Sequence, residues 1–469
     1  FRAIVVPQTV PAGKEVLVIT IDGTPKQYIR DVDTEYLPGK ITTFDLVIKK
    51  SDVAGEYEVE LTGVSITAWE ADNISHGEEA QEYVIVHNAI AGGLQRTIET
   101  RLEMDPTKIK NLKLTGSINQ EDYDYMREGL TSLQKLNLKE VESLNYQDYY
   151  IIPSNAFKNK KTLVKCVLPD KLVKIDNSAF EGTSLTIILP EGLKYVSGFE
   201  GTKITNVIFP SSLEVIGVRA FINCSLLVAE ISLPTNLIDI GSYAFFASGI
   251  SGNLVLPDNL EMIGDHAFAN CSNLSGSLII PSKIKTIHSG AFLCTGFTGT
   301  LTLPEGLEII NNQAFERVKF KGELHLPKSV LTIEESAFLE TNFNGNLVLP
   351  SGLISLGARA FERCWRLSGI VEIPSGVVAI PQKLFSGCTG IEGVRLHKDV
   401  EVIGANAFDN CTGIYSIICE AKNPPIINSN SFNGVAKDNF TVEVPEASVS
   451  LYKNANHWGE FKRIAAHRD

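Results

Sequence analysis

Asn253-Leu254-Val255-Leu256-Pro257, then Leu260, Ile263-Gly264, Ala267-Phe268, Cys271 and Leu274, form a unit that recurs along most of this chain. The Leu-x-Leu pair alternates inward on a strand, and Pro ends the hydrogen-bonded ladder. Gly permits a tight bend, and Phe fills the centre of a coil. One such coil cannot bury its apolar face alone, so neighbours must stack. The phenylalanines set the period: Phe157, Phe180, Phe199, Phe221, Phe245, Phe268, Phe292, Phe315, Phe338, Phe361, Phe385, Phe408 and Phe432 follow one another at steps of 19 to 24 residues. A sustained period of that length predicts a mainly β solenoid of about thirteen turns over 151–435, with short irregular or helical coils between strands.

Composition agrees and excludes some functions. At 469 residues with 44% hydrophobic content the chain can bury a long core and hold two or more domains. Its net charge of -13 and lack of any Lys/Arg stripe exclude a nucleic-acid phosphate backbone as partner. No stretch of 18 apolar residues is present, so no transmembrane segment is expected. The chain starts at Phe1 without Met, which predicts an export signal or anchor upstream and attachment to an outer membrane through it.

Three further segments flank the repeat. Residues 1–90 carry alternating apolar runs (Ala3–Val6, Val16–Ile21, Phe44–Ile48, Tyr57–Leu61, Tyr83–Val86) separated by Asp22-Gly23, Pro38-Gly39 and Ala54-Gly55, the pattern of a small all-β sandwich. Val6-Pro7-Gln8-Thr9-Val10, the Tyr28 strand, Pro38-Gly39-Lys40 and Ile66-Thr67-Ala68-Trp69 resemble the carboxy-terminal part of the fimbrillin-like surface proteins of anaerobic Gram-negative bacteria, truncated at the amino end. Residues 91–150 hold two Leu-x-Leu strands around Leu112-Lys113-Leu114 and Leu136-Asn137-Leu138, with a helix expected over Asp122–Leu130, and are placed to cap the solenoid. Residues 436–469 read as a closing strand and short helix whose aromatics, Trp458 among them, plug the other end.

The recurring Leu-Pro, Ile-Gly, Ala-Phe and Cys positions, with the ending Val-Pro-Glu-Ala-Ser-Val-Ser-Leu-Tyr-Lys and His457-Trp458-Gly459-Glu460-Phe461, resemble the BspA-like branch of bacterial leucine-rich repeat proteins over about 370 of the 469 residues. The resemblance implies a secreted or cell-surface protein, in a family associated with adhesion to host matrix proteins and to other cells, and no catalytic residues. Phe199 departs from the pattern by following Gly198, and the short repeat Ser184–Gly201 lacks the Ile-Gly step. A local irregularity is expected there.

Enzymatic and metal-binding patterns are missing. No His-Glu-x-x-His, Gly-x-x-x-x-Gly-Lys-Ser or Gly-x-Ser-x-Gly occurs, the eight histidines are scattered, and no Cys-x-x-Cys offers metal ligands. Catalytic residues, metals and cofactors are therefore expected to be none, although paired acids for glycoside hydrolysis need only be close in space. Five cysteines (Cys224, Cys271, Cys364, Cys388, Cys411) fall three residues after a repeat Phe. They read as small buried fillers, with disulfides between successive turns as the alternative. Where Cys is absent, Ile250, Phe297, Phe320 and Phe343 stand five residues after the Phe.

Binding is then expected on the outward positions of the Leu-x-Leu strands. The position before the inward pair (Lys165, Asn206, Glu230, Asn253, Ser277 and onward) is nearly all polar. The position between the pair runs Val167, Ile188, Ile208, Ser232, Val255, Ile279, Thr302, His325, Val348, Glu372, Arg395 and Ile418, aliphatic over its first half and broken by charge later. Thirteen strands spaced at about 4.8 Å would give a face roughly 60 Å long. Such a column is either simple strand propensity or an exposed stripe for a partner. The partner expected is a host matrix or cell-surface protein, another bacterial cell or a glycan, with a structural spacer as the other reading.

Overall fold

The computed structural model describes residues 83–141 and 150–467 with their side chains. Through the backbone it also describes six strands between Gln8 and Ala68 and the end of the strand Lys135–Leu144. The chain divides into two compact units, Phe1–Gln81 and Glu82–Asp469.

In the first unit three strand pairs are antiparallel: Gln8–Val10 with Thr34–Tyr36, Glu15–Ile21 with Thr24–Ile29, and Lys40–Lys50 with Tyr57–Ala68. The packing of a sandwich and the fimbrillin-like motifs lie outside the described side chains. One element read with that segment belongs elsewhere. Val84–Asn88 is the first strand of the solenoid, parallel to Asn111–Ile118, because its inward Val86 is buried with Leu112 and Leu114.

The second unit is a succession of parallel coils, mainly β, with one continuous core among the described residues from Val86 to Ile464. Its axis is a stack of phenylalanine rings. All thirteen repeat Phe side chains are buried, and each ring lies 5.1–5.8 Å from the next with planes within 22°. The stack ends edge-on against Tyr123 (76°) on one side and Phe461 (89°) on the other. Edge-to-face contact presents the positive ring edge to a negative face, closing a column that parallel stacking would extend.

Each coil carries two strand positions where one was expected. The Leu-x-Leu position gives a five-stranded sheet from Val84–Asn88 to Thr186–Ile187 and a six-stranded sheet from Gly345–Asn346 to Arg463–Ala466, with only isolated pairs between. The unbroken thirteen-strand face is therefore not formed. The first break follows the short repeat, where Gly198 takes a left-handed backbone (φ 86°) and a Cβ would stand 2.4 Å from the Asp176 carbonyl oxygen. Glycine is required there by both conformation and contact. The second strand position is the step read as a bend. Short parallel pairs run through Val215–Ile216, Asp239–Ile240 and Met262–Ile263, and Gly264 has an ordinary φ. What it lacks room for is a Cβ, which would meet Ser242 N at 2.5 Å. The glycine serves close stacking of coils rather than bending.

The helix at the amino end is Gln120–Glu128, starting two residues early because Asn119 caps it and Asp122 closes a capping box. At the other end Arg463–Ala466 pairs with Thr441–Val444, and Trp458 is buried, donating from Nε1 to the Pro425 carbonyl at 2.8 Å.

Candidate functional site

Packing claims the chemically reactive side chains first. From Phe180 on, the position three residues after the repeat Phe is a buried column of small groups, Thr183, Thr202, Cys224, Ser248, Cys271 and onward to Val435, while Lys160 holds that place after Phe157. The thiols of Cys224, Cys271, Cys364, Cys388 and Cys411 each donate to the Phe carbonyl of the preceding coil at 2.9–3.0 Å, while Thr183 and Thr341 donate to the Phe carbonyl of their own coil. All eight cysteines are free thiols. Burial pushes Cys166, Cys271 and Cys411 up to about 12, and Cys224 and Cys364 up to about 11. Such thiols are poor nucleophiles. The alternative filler is also visible, since Phe297, Phe320 and Phe343 form a second ring stack at 5.9 and 5.6 Å.

The outward column stands where the period places it. Ile188, Ile208, Val255, Ile279 and Val348 are 61–76% exposed, while their inward neighbours such as Leu254 and Leu256 are buried. Val167 and Ile418 are half-buried, and Ser232, Thr302 and His325 are exposed. Beside Ile208, at the first break in the sheet, lies a depression of ≈ 580 Å³ lined by Asn206, Phe209, Glu230, Ser232 and Pro234. The charged residues of the column are engaged with one another: Arg395 lies between Glu372 (3.7 Å) and Glu420 (3.3 Å). His325 is 3.8 Å from Glu323.

Two features escaped the sequence reading. On the second strand position Leu331, Ile354 and Val378 are exposed in three successive coils, a patch that only recognition of that strand could reveal. In nearly every coil, moreover, the residues two before and two after the repeat Phe have left-handed backbone, as at Asn155 and Asn159, Asn406 and Asn410. The enrichment of Asn and Gly at those places is the signal that could have shown it. This geometry lets the N–H groups of Tyr243, Phe245 and Ala247 donate to Asp265, Ala267 and Ala269 of the next coil at 2.8–2.9 Å, a third ladder beside the two strand positions.

Among the described residues no group of three or more His, Cys, Asp or Glu is placed to hold a metal ion, and no helix is long and apolar enough to cross a membrane. The arrangement offers surfaces, and repeat solenoids generally use extended surfaces for binding.

No curated protein matches the chain. Among solved structures it is similar to a leucine-rich repeat protein from Bacteroides ovatus (23% identity, 70% of this chain and 90% of that one, TM-score 0.45). It is similar to the pneumococcal vaccine antigen PcpA (18%, 77% and 80%, TM-score 0.36). A third is a leucine rich cell surface protein from Faecalibacterium prausnitzii (18%, 69% and 86%, TM-score 0.25). The family described as "BspA type Leucine rich repeat region (6 copies)" matches in five overlapping stretches, 132–197, 150–274, 195–321, 251–368 and 319–439. With well over half its length under that repeat, and the repeat built as a stack of coils around one phenylalanine column, the chain belongs to the BspA type leucine-rich repeat proteins.

Proposed function

We propose that this chain is a non-enzymatic binding module of a cell-surface or extracellular protein, engaging a partner protein through the outward column of its Leu-x-Leu strands. The observation that supports it is the run of exposed aliphatics Ile188, Ile208, Val255, Ile279 and Val348. Strand propensity alone accounts for β-branched residues, but Thr would serve it equally well without exposing apolar surface. Apolar exposure rimmed by polar residues marks a contact surface, here as the adjacent pairs Ile188–Ile208 and Val255–Ile279 with the exposed Ser232 between them, and the depression beside Ile208 gives an anchor side chain somewhere to seat. This binding takes the form of adhesion to matrix proteins or to cells.

The test is a double substitution, Val255→Asp with Ile279→Asp. Both side chains point to solvent, so thermal stability should move little, within about 0.5 kcal/mol per site. Adhesion of the purified chain to immobilised matrix proteins and to bacterial cells should fall at least tenfold. A chain that binds none of them, or binds equally well after the double substitution, is a spacer and not a module of this kind.

A further inference from the structure

A second surface lies along the loops that carry the repeat Phe, away from the Leu-x-Leu column. There Gln313, Arg317, Glu340, Arg359, Arg363 and Lys383 enclose a cleft of ≈ 470 Å³, a volume in the range of small-ligand sites. Two carboxylates at its base, Glu316 and Glu362, are each only 6% exposed. Gln313 Nε2 donates to Glu316 Oε2 at 2.7 Å, and Arg359 Nε lies 2.8 Å from Glu362 Oε2. Glu340 bridges Arg363 (2.8 Å) and Arg317 (3.1 Å). Burial raises the Glu340 carboxyl, but the hydrogen bonds from Arg363 and Arg317 outweigh it and hold the group below its ordinary value. The three carboxylates Glu316, Glu340 and Glu362 are thus held before any ligand arrives.

The backbone supplies an independent observation. Most coils put Asn or Gly in at least one of the two left-handed positions flanking the Phe, which lowers the steric cost. Four coils carry neither: that of Tyr243 and Ala247, and the three successive coils of this cleft, with Gln313 and Arg317, Ser336 and Glu340, Arg359 and Arg363. Residues that fit the local conformation badly, gathered in consecutive coils around one cleft, point to a role other than folding.

We propose that this cleft binds a neutral oligosaccharide. The four acids (Glu316, Glu335, Glu340, Glu362) and four bases (Arg317, Arg359, Arg363, Lys383) lining it balance, so a net charge on the ligand gains nothing. Each guanidinium already faces a carboxylate, Arg317 and Arg363 on Glu340 and Arg359 on Glu362, so a phosphate would have to compete with those acids at every Arg of the cleft. A hydroxyl both donates and accepts, so a row of hydroxyls can answer carboxylate oxygens and guanidinium N–H groups side by side. Leu339 is the only aliphatic side chain in the lining, too little for a protein anchor. From Gln313 to Lys383 the cleft crosses three coil intervals, about 15 Å, which suits a chain of sugars over a single one.

The experiment is calorimetric titration of the whole chain with neutral linear hexasaccharides of glucose, mannose, galactose, xylose and N-acetylglucosamine, α- and β-linked. Their monosaccharides and a hyaluronan hexasaccharide form the two other arms. The expected result is binding of at least one neutral hexasaccharide, weaker binding of its monosaccharide, and at least tenfold loss in both Arg363→Ala and Lys383→Ala. Lys383 has no ion-pair partner among the described residues, so its removal spares the fold even where Arg363→Ala does not. The Val255→Asp, Ile279→Asp variant should bind the sugar unchanged, which separates this cleft from the protein-binding column. The proposal is overturned if no neutral hexasaccharide binds below millimolar concentration, if binding survives both cleft variants, or if hyaluronan binds more tightly than every neutral chain.

Discussion

Raising the pH from 8 to 10 should destabilise the solenoid steeply, and the buried thiols set the size of the effect. Cys166, Cys271 and Cys411 sit at about 12, and Cys224 and Cys364 at about 11, against 9.0 for an exposed thiol. A group raised in the folded state contributes stability that is complete below its unfolded value and is lost as pH climbs towards its folded value. At pH 10 the unfolded thiols are mostly ionised and the folded ones are not, which costs about 1.4 kcal/mol each, or on the order of 7 kcal/mol for five. Lys160 works against this. Burial, then the neighbouring Arg127 charge, lowers it to about 8, so its contribution improves as pH rises from about 8 to its unfolded value and offsets about 2 kcal/mol of the loss by pH 10, while Cys388 and Cys419, raised by burial as well, add to the loss. Urea unfolding of the reduced protein, followed by circular dichroism at pH 8, 9 and 10, measures the slope. Cys271→Val should remove about 1.4 kcal/mol of the loss at pH 10, because Val318 and Val435 already occupy the same buried position in other coils. An unchanged slope in Cys271→Val, or fewer than eight titratable thiols in the unfolded, unreduced protein, would refute the free-thiol column.

Two further perturbations probe the axis and the cap. Phe315→Ala removes a ring stacked on Phe292 and Phe338 and edge-on to Phe320, and should cost about 3–5 kcal/mol in denaturant unfolding. Asp122→Asn should cost roughly 3 kcal/mol and expose the first coils to hydrogen exchange, because its buried carboxylate accepts from Gly92 N (2.7 Å), Leu94 N (2.9 Å) and Asn119 N (2.9 Å), and an amide nitrogen cannot accept.

How far the sequence could be read follows from which contacts have a period. The Phe stack, the Cys column and the Leu-x-Leu pair repeat at fixed offsets, so they were legible, and so was the exposure of Val255 and Ile279 that alternation fixes. The second strand position was hidden because two residues such as Met262–Ile263 make too short a run to show alternation. The glycine beside it was legible as a requirement but not as to its cause, since only the neighbouring coil at Ser242 decides between bend and contact. The sheet break needed three dimensions as well. A repeat four residues short predicts irregularity, but not that the ladder stops at Ile187 while the other edge stays paired through Tyr195–Val196 and Val215–Ile216.

The cleft was illegible for a different reason. Charged residues at Arg317, Glu340 and Arg363 look like any solvated coil position in a chain that is 21% charged. They become informative only once the two-before and two-after positions are known to be left-handed, because that converts an unremarkable Arg into a residue placed against its steric preference. A solenoid makes such departures readable, since every other coil serves as a control for the same position. Where Asn155, Asn159, Asn223, Asn270, Asn406 and Asn410 meet the backbone requirement at low cost, the presence of Gln, Ser, Glu and Arg across three neighbouring coils calls for a compensating gain. Ion pairing within the cleft is a poor candidate for that gain, because half-exposed pairs such as Arg363–Glu340 contribute little. Binding supplies it only when a ligand engages several of these groups at once, so the loss on substituting Lys383, which pairs with nothing in the cleft, separates a ligand site from an ornamental network of salt bridges.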